Sequence, residues 1–366
     1  MKTFPHSLRL QVLLTLLFIT CSLAASTKLT LSSPHKHLSA SLTEMPDGAW
    51  SYQLKADGKL LISSSALGFE DMSGRGIPGQ GWRVIDTRRQ RIRSEWRPLW
   101  GKRAVVPDCY NELRISFGNE SSALTRMDVV VRAYDEGLAF RYEVPASSAD
   151  SIAFRNERTQ FGFADDFTAW YYNGENHNLG PERLSSCAGR RHPVMTVRAD
   201  ESHYMAIHEA CLYDNIPFEL QSEKGSTLFT IPGQHGMLRP GYRTAWRVIF
   251  YGNTPGALTD SHLLELLNPD PAPGSDFSWV KPGMAVWDWR INGAQWDGFT
   301  YTMSYPSWIR MVDFAAEQGF RYLVLDANWY GPEFAAESDP LKGGEAGSVQ
   351  KLIEYACNKG VGIWLT

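Results

Sequence analysis

Between residues 268 and 283 the sequence changes periodicity, and the two sides of the change cannot share one fold class. The stretch NPDPAPGSDFSWVKPG carries four prolines and two glycines. Neither a helix interior nor a central strand tolerates that density, so the stretch reads as a linker between domains. Before it, short runs alternate apolar and polar residues and are punctuated by turn residues. In residues 43–62, TEMPDGAWSYQLKADGKLLI, Trp50, Tyr52 and Leu54 alternate with polar neighbours, and Pro46-Asp47-Gly48 and Asp57-Gly58 mark the turns. Residues 127–145 repeat the pattern around Asp135-Glu136-Gly137, and residues 243–252 supply a further strand. Helical spacing first appears in residues 257–268, where Leu263, Leu264, Leu266 and Leu267 fit one short helix. So much strand with so little helix predicts a large β-sandwich over residues 26–268, followed by a linker at 269–282.

After the linker, residues 283–289 read as a buried strand. Residues 306–320 read as a helix with Trp308, Met311, Val312 and Ala315 on one face and Gly319 as its stop. Residues 321–326 form the next strand. A second helix follows in 348–360, with Val349, Leu352, Ile353 and Ala356 aligned, and residues 361–366 form a third buried strand. Strands alternating with amphipathic helices predict a parallel sheet, here the opening βαβαβ part of a (β/α)8 barrel over residues 283–366. An apolar strand at the chain end would leave an unpaired edge. The expectation is therefore a multi-domain chain truncated within its barrel.

Bulk properties narrow the function. A net charge of −4 over 366 residues gives no basic footprint for nucleic acid. The thirteen tryptophans and fifteen tyrosines suit sheet packing, and also stacking against sugar rings. Lys2 and Arg9, an apolar run over residues 10–23 and Ala24-Ala25 read as a signal peptide at 1–25. That run is short for a membrane-spanning helix, so the chain is expected to be exported rather than anchored. Cys109, Cys187, Cys211 and Cys357 match no metal or disulfide framework, and Cys357 is expected to be a buried small hydrophobe.

Several segments resemble glycoside hydrolase family 97, the bacterial calcium-dependent α-glucosidase and α-galactosidase family. They are EWRPLWGKRAVVPDCYNELRISF at 95–117, RAYDEGLAFRYEVP at 132–145, YMAIHEACLYD at 204–214 and MVDFAAEQGFRYLVLDANW at 311–329. The resemblance implies an N-terminal β-super-sandwich followed by a (β/α)8 catalytic barrel. It also implies that the two cleaving carboxylates lie beyond Thr366, so that no catalytic residue falls within this chain.

Glycosidic cleavage uses one carboxylic acid to protonate the leaving oxygen and one carboxylate as base or nucleophile. Asp288 and Asp326 sit at the ends of predicted barrel strands, the face where such enzymes work, and locally they read as that pair. The family pattern moves the cleaving pair elsewhere and leaves these two to shape and bind the sugar pocket. A turn-capping role remains open for Asp288. Strand alternation puts Trp287 and Trp289 on one side with Asp288 opposite; one of the two is expected to pack in the barrel, and Trp287 is a candidate sugar contact. Trp329, with Asn328 beside it, is expected to be the stacking platform for the sugar. The resemblance also implies a sandwich-loop glutamate that reaches calcium, either Glu175 or Glu182 of the polar stretch at 169–186.

The expected function is thus calcium-dependent hydrolysis of terminal α-linked glucose or galactose from oligosaccharides by the full-length protein. The 366 residues alone are expected to be inactive. The competing expectation is a non-catalytic carbohydrate-binding β-sandwich protein.

Overall fold

The computed structural model describes residues 26–366 apart from 100, 149, 173, 175–177, 340, 341 and 343–347. The chain divides into two compact units, one running through Asp270 and the other starting at Pro271.

The first unit is built almost wholly of antiparallel sheet. Strands Lys28–Ser32, Leu38–Glu44, Trp50–Ala56 and Lys59–Leu67 form a four-stranded meander. Its last hairpin turns at Asp57 and Gly58, both at positive φ, as a two-residue turn between right-twisted strands demands. A twelve-stranded sheet has Arg126–Tyr134, Gly137–Glu143, Trp246–Gly252 and His203–Ala210 at its centre. Because side chains alternate along a strand, this sheet buries two different faces. Val129, Val131, Leu138, Phe140 and Ile249 pack with Tyr52, Leu54 and Ile62 of the meander into the main sandwich core. On the other face Val130, Tyr134, Ala139, Val248 and Phe250 pack beneath Leu263 and Leu267. The expected single helix is two short ones, Pro255–Asp260 and Leu263–Leu267. The chain is extended at Ser261 between them, and the first is capped by Thr254 with Pro255 at its opening position.

One ion cluster lies inside this unit. Arg247, on a strand otherwise lined with apolar residues, is 1% exposed and grips Glu157 with two hydrogen bonds of 3.0 and 2.6 Å. A third, of 3.3 Å, reaches Glu209, whose other oxygen accepts the Phe218 N–H. Tyr142 and Thr159 extend the network from Glu157 to the backbone of Gly68. It ties six separate segments of the sandwich through groups that would be costly to bury unpaired.

The second unit holds three parallel strands in the order Ala285–Trp287, Tyr322–Leu325, Gly362–Leu365. Helices Tyr305–Glu317 and Ser348–Asn358 pack with them around Trp308, Met311, Val312, Leu323, Leu325, and Leu352. Gly319 and Gly360, both at positive φ, end the two helices. Several expectations need correction. The first strand stops at Trp287, and Asp288–Ile291 is a short helix followed by a hairpin of Gln295–Trp296 with Phe299–Thr300. The third strand is not buried, since Trp364 is 60% exposed. Cys357 and Ile353 are exposed, because the inward stripe of their helix is Val349, Leu352 and Ala356. No helix among the described residues is long and apolar enough to cross a membrane.

Candidate functional site

In a parallel sheet the strand ends that follow the hydrogen-bonded stretch all point the same way, so Trp287, Asp288 and Asp326 are neighbours despite their distance in sequence. Register sets this: Trp287 pairs with Val324, two residues before Asp326. The indole N–H of Trp287 donates to Asp326 Oδ2 at 2.7 Å. Asp326 Oδ1 accepts the N–H of Ala327, which fixes the carboxylate plane at the strand tip. Asp326 is half-buried, and a carboxylate with two donors keeps lone pairs for further hydroxyl donors.

Asp288 plays a different part. It is fully buried, with Oδ1 accepting the Asp326 N–H and Oδ2 accepting the Trp308 indole N–H, both at 2.9 Å. Burial pushes its carboxyl above the usual range, against the pull of those two hydrogen bonds. Asp288 therefore pins one strand tip to the next and both to the helix Tyr305–Glu317. The chain turns helical at Asp288, where the side chain is buried, and the expected strand ends there. Trp287 and Trp289 still share a side, their rings 5.7 Å apart, and the Arg290 guanidinium lies over both.

Asn328 and Trp329 are not part of this hydrogen-bonded chain. They line a separate cavity of about 710 Å³ with Tyr305, Pro306, Trp308 and Lys351. Trp329 is held by its N–H to the Thr366 carbonyl at 3.0 Å and by an edge contact with Tyr330. Asn328 sits at φ 74°, and its side-chain oxygen accepts the Glu333 N–H. Trp308 connects the two places, since its N–H serves Asp288 and its side chain lines the cavity. The helix periodicity marked Trp308 as inward-facing, but no sequence signal names the partner of its indole N–H. Arg290 carried no signal at all.

In the first unit the segment expected to be a loop is a hairpin, Thr168–Tyr172 with Asn178–Arg183. Gly180, at φ 103°, lets it close, since a Cβ there would sit 2.4 Å from the Ala169 carbonyl oxygen. Glu182 lies on the second strand of this hairpin and accepts the Tyr171 phenol; the Arg191 guanidinium covers the Tyr171 ring. Glu175 lies outside the described residues. Calcium takes six to eight oxygen ligands, and Glu182 has one carboxylate oxygen without a partner among the described residues. No group of three or more His, Cys, Asp or Glu that could hold a metal occurs among the described residues. The described residues therefore do not fit a calcium site on their own.

The sequence model described as glycosyl-hydrolase 97 N-terminal matches residues 31–269. A probable retaining alpha-galactosidase of Streptomyces bingchenggensis is 28% identical over 86% of the chain and 48% of its own length. A retaining alpha-galactosidase of Bacteroides thetaiotaomicron is 23% identical over 98% of the chain and 58% of its own length. The chain thus spans about half the length of these curated relatives. Among solved structures, a Pseudoalteromonas sp. strain K8 family 97 enzyme in complex with acarbose has a TM-score of 0.73 at 24% identity. That match covers 92% of the chain and 53% of the enzyme. A beta-arabinopyranosidase superposes over the same 92%, and 55% of its own chain, with a TM-score of 0.72 at 19% identity.

Proposed function

Because the chain belongs to glycoside hydrolase family 97, we propose that it carries the sandwich and the opening strands of a (β/α)8 barrel whose strand tips hold a terminal α-linked sugar. The observation that carries this reading is the chain Trp287, Asp326, Asp288 and Trp308. It fixes one half-exposed carboxylate at the tip of the central strand, where it can accept sugar hydroxyls. An oriented carboxylate beside indole surface is the usual way a protein grips a sugar ring, with directional bonds to hydroxyls and apolar contact to C–H faces.

In this reading the substrate is an oligosaccharide ending in α-linked galactose or glucose. The two curated relatives named as alpha-galactosidases favour galactose, and the acarbose complex of the Pseudoalteromonas enzyme keeps glucose in play. Neither strand-tip carboxylate suits the cleavage itself. Asp288 is fully buried with both oxygens engaged, and no water or glycosidic oxygen can reach it. Asp326 is the sugar-holding group, and one carboxylate cannot be both the acid on the leaving oxygen and the nucleophile or base on the opposite face of the ring. The cleaving pair and most of the calcium ligands belong, on this account, to the whole protein outside these 366 residues, with one oxygen left to either Glu175 or Glu182. The same reading has the chain exported, with residues 1–25 removed.

The test is turnover of aryl α-galactoside and α-glucoside by the purified 366-residue protein, with calcium and with chelator. No aryl release is expected in either condition. Calcium-dependent release would overturn the assignment of the cleaving carboxylates to the rest of the protein.

A further inference from the structure

The sandwich unit contains a cavity of about 650 Å³ that the sugar site in the second unit does not use. One wall is the Trp246 indole, 1% exposed, with the guanidinium groups of Arg132 and Arg141 lying over its ring at 4.8 and 4.3 Å. Arg239 and Arg243 line the cavity as well, against a single lining carboxylate, Asp214.

The carboxylates behind these arginines are already shared. Arg132 donates to Glu112 at 2.8 Å. Glu143 serves Arg114 and Arg141 and lies 3.9 Å from Arg243. Arg239 has no acidic partner among the described residues, and it is exposed at the mouth. Two buried donors, Trp246 Nε1 and Arg141 Nε, have no hydrogen-bond partner among the described residues. Burial weakens the hold of Arg141 on its proton; Glu143 opposes this, and Arg132 and Arg243 add to it. Guanidinium forks at this density are built to receive a planar anion in two-point fashion.

The rest of the lining is not that of a bare anion hole. Tyr213, 64% exposed, and Tyr242 give flat rings, and Asn268 adds an amide. The volume takes a ligand of one or two sugar rings. We propose that this cavity is a second, non-cleaving site for a uronic acid, whose carboxylate is held by the arginines and whose ring lies against the tyrosines. It would anchor an acidic sugar of a heteroglycan to the sandwich, independently of the strand-tip site.

Isothermal calorimetry of the 366-residue protein at low salt, with D-galacturonate as probe and galactose and acetate as controls, tests this. Galacturonate is expected to bind at least about tenfold more tightly than either control, since charge-assisted hydrogen bonds and ring contacts each contribute at about that level. Binding should weaken with salt, and it should persist in Asp326→Ala, which separates this site from the strand-tip site. The double variant Arg239→Gln with Arg243→Gln alters exposed side chains, should melt like wild type, and should bind galacturonate about tenfold more weakly or worse. Galacturonate binding no tighter than galactose would overturn the proposal, as would wild-type affinity in the double variant. Acetate binding as tight as galacturonate would overturn the assignment to a sugar.

Discussion

Replacing Arg247 by methionine is expected to destabilise the sandwich by about 3–5 kcal/mol, the range for removing one partner from a buried charge cluster. For a unit of this size that lowers the melting temperature by on the order of 10 °C. The cause is not the loss of attraction alone. Glu157 and Glu209, 4% and 8% exposed, would be left without a cation, and each would keep a charge out of water or take up a proton. Glu209 already leans that way, since burial raises its carboxyl above the usual range even with Arg247 and the Phe218 N–H opposing. Adding Glu157→Gln and Glu209→Gln to the methionine variant should therefore recover part of the loss, a non-additivity that a thermal melt of the single and triple variants reads directly. Equal melting of wild type and Arg247→Met would contradict the account of this core.

The second large effect is expected at Asp288. In Asp288→Ala, the Trp308 and Asp326 N–H groups both lose their acceptor in a buried place. Each costs about 1–3 kcal/mol, and the loss should fall on the second unit. Asp288→Asn keeps one acceptor and should cost about half as much. The pH dependence has a definite sign. A carboxyl whose folded pKa is raised contributes stability that is fully present below its unfolded value, near 4, and is lost as pH rises through the folded value. Between those two points the folded state binds more protons than the unfolded one, so stability falls with pH. Chemical denaturation across that window, followed by the fluorescence of tryptophans, should show a slope in wild type that Asp288→Asn lacks. A flat wild-type profile would contradict the burial argument.

How much of this was legible in the sequence depended on which surface a residue faces. Strands with one solvated face, such as Trp50–Ala56, announced themselves by alternation, and glycines at positive φ closed their turns where expected. Helix Tyr305–Glu317 was legible to the residue on its inward face, with Trp308, Met311, Val312 and Ala315 all buried. The strand Trp246–Gly252 is buried on both faces, and nothing local distinguishes the Arg247 in its middle from a surface arginine. Its partners come from positions 157 and 209, a long-range fact. The same reason hid the split of the candidate site. Asp288 and Asp326 were recognised as strand-tip carboxylates, but only tertiary register makes one a buried clamp for the other. Asn328 and Trp329, two and three residues past Asp326, turn with the chain into a different cavity. The hairpin carrying Glu182 reads as loop in the sequence because glycine and amide residues outweigh its strand formers, while its pairing to Thr168–Tyr172 supplies the order.

The most direct test of the central claim is saturation-transfer NMR of the 366-residue protein with melibiose and maltose, comparing wild type with Asp326→Ala. The account predicts weak sugar contact in wild type and a loss of about tenfold or more in the variant, the scale of a lost hydrogen bond to a charged group, with the melting profile unchanged. Equal sugar contact in Asp326→Ala would contradict it and transfer the binding to the sandwich, as in a non-catalytic carbohydrate-binding protein.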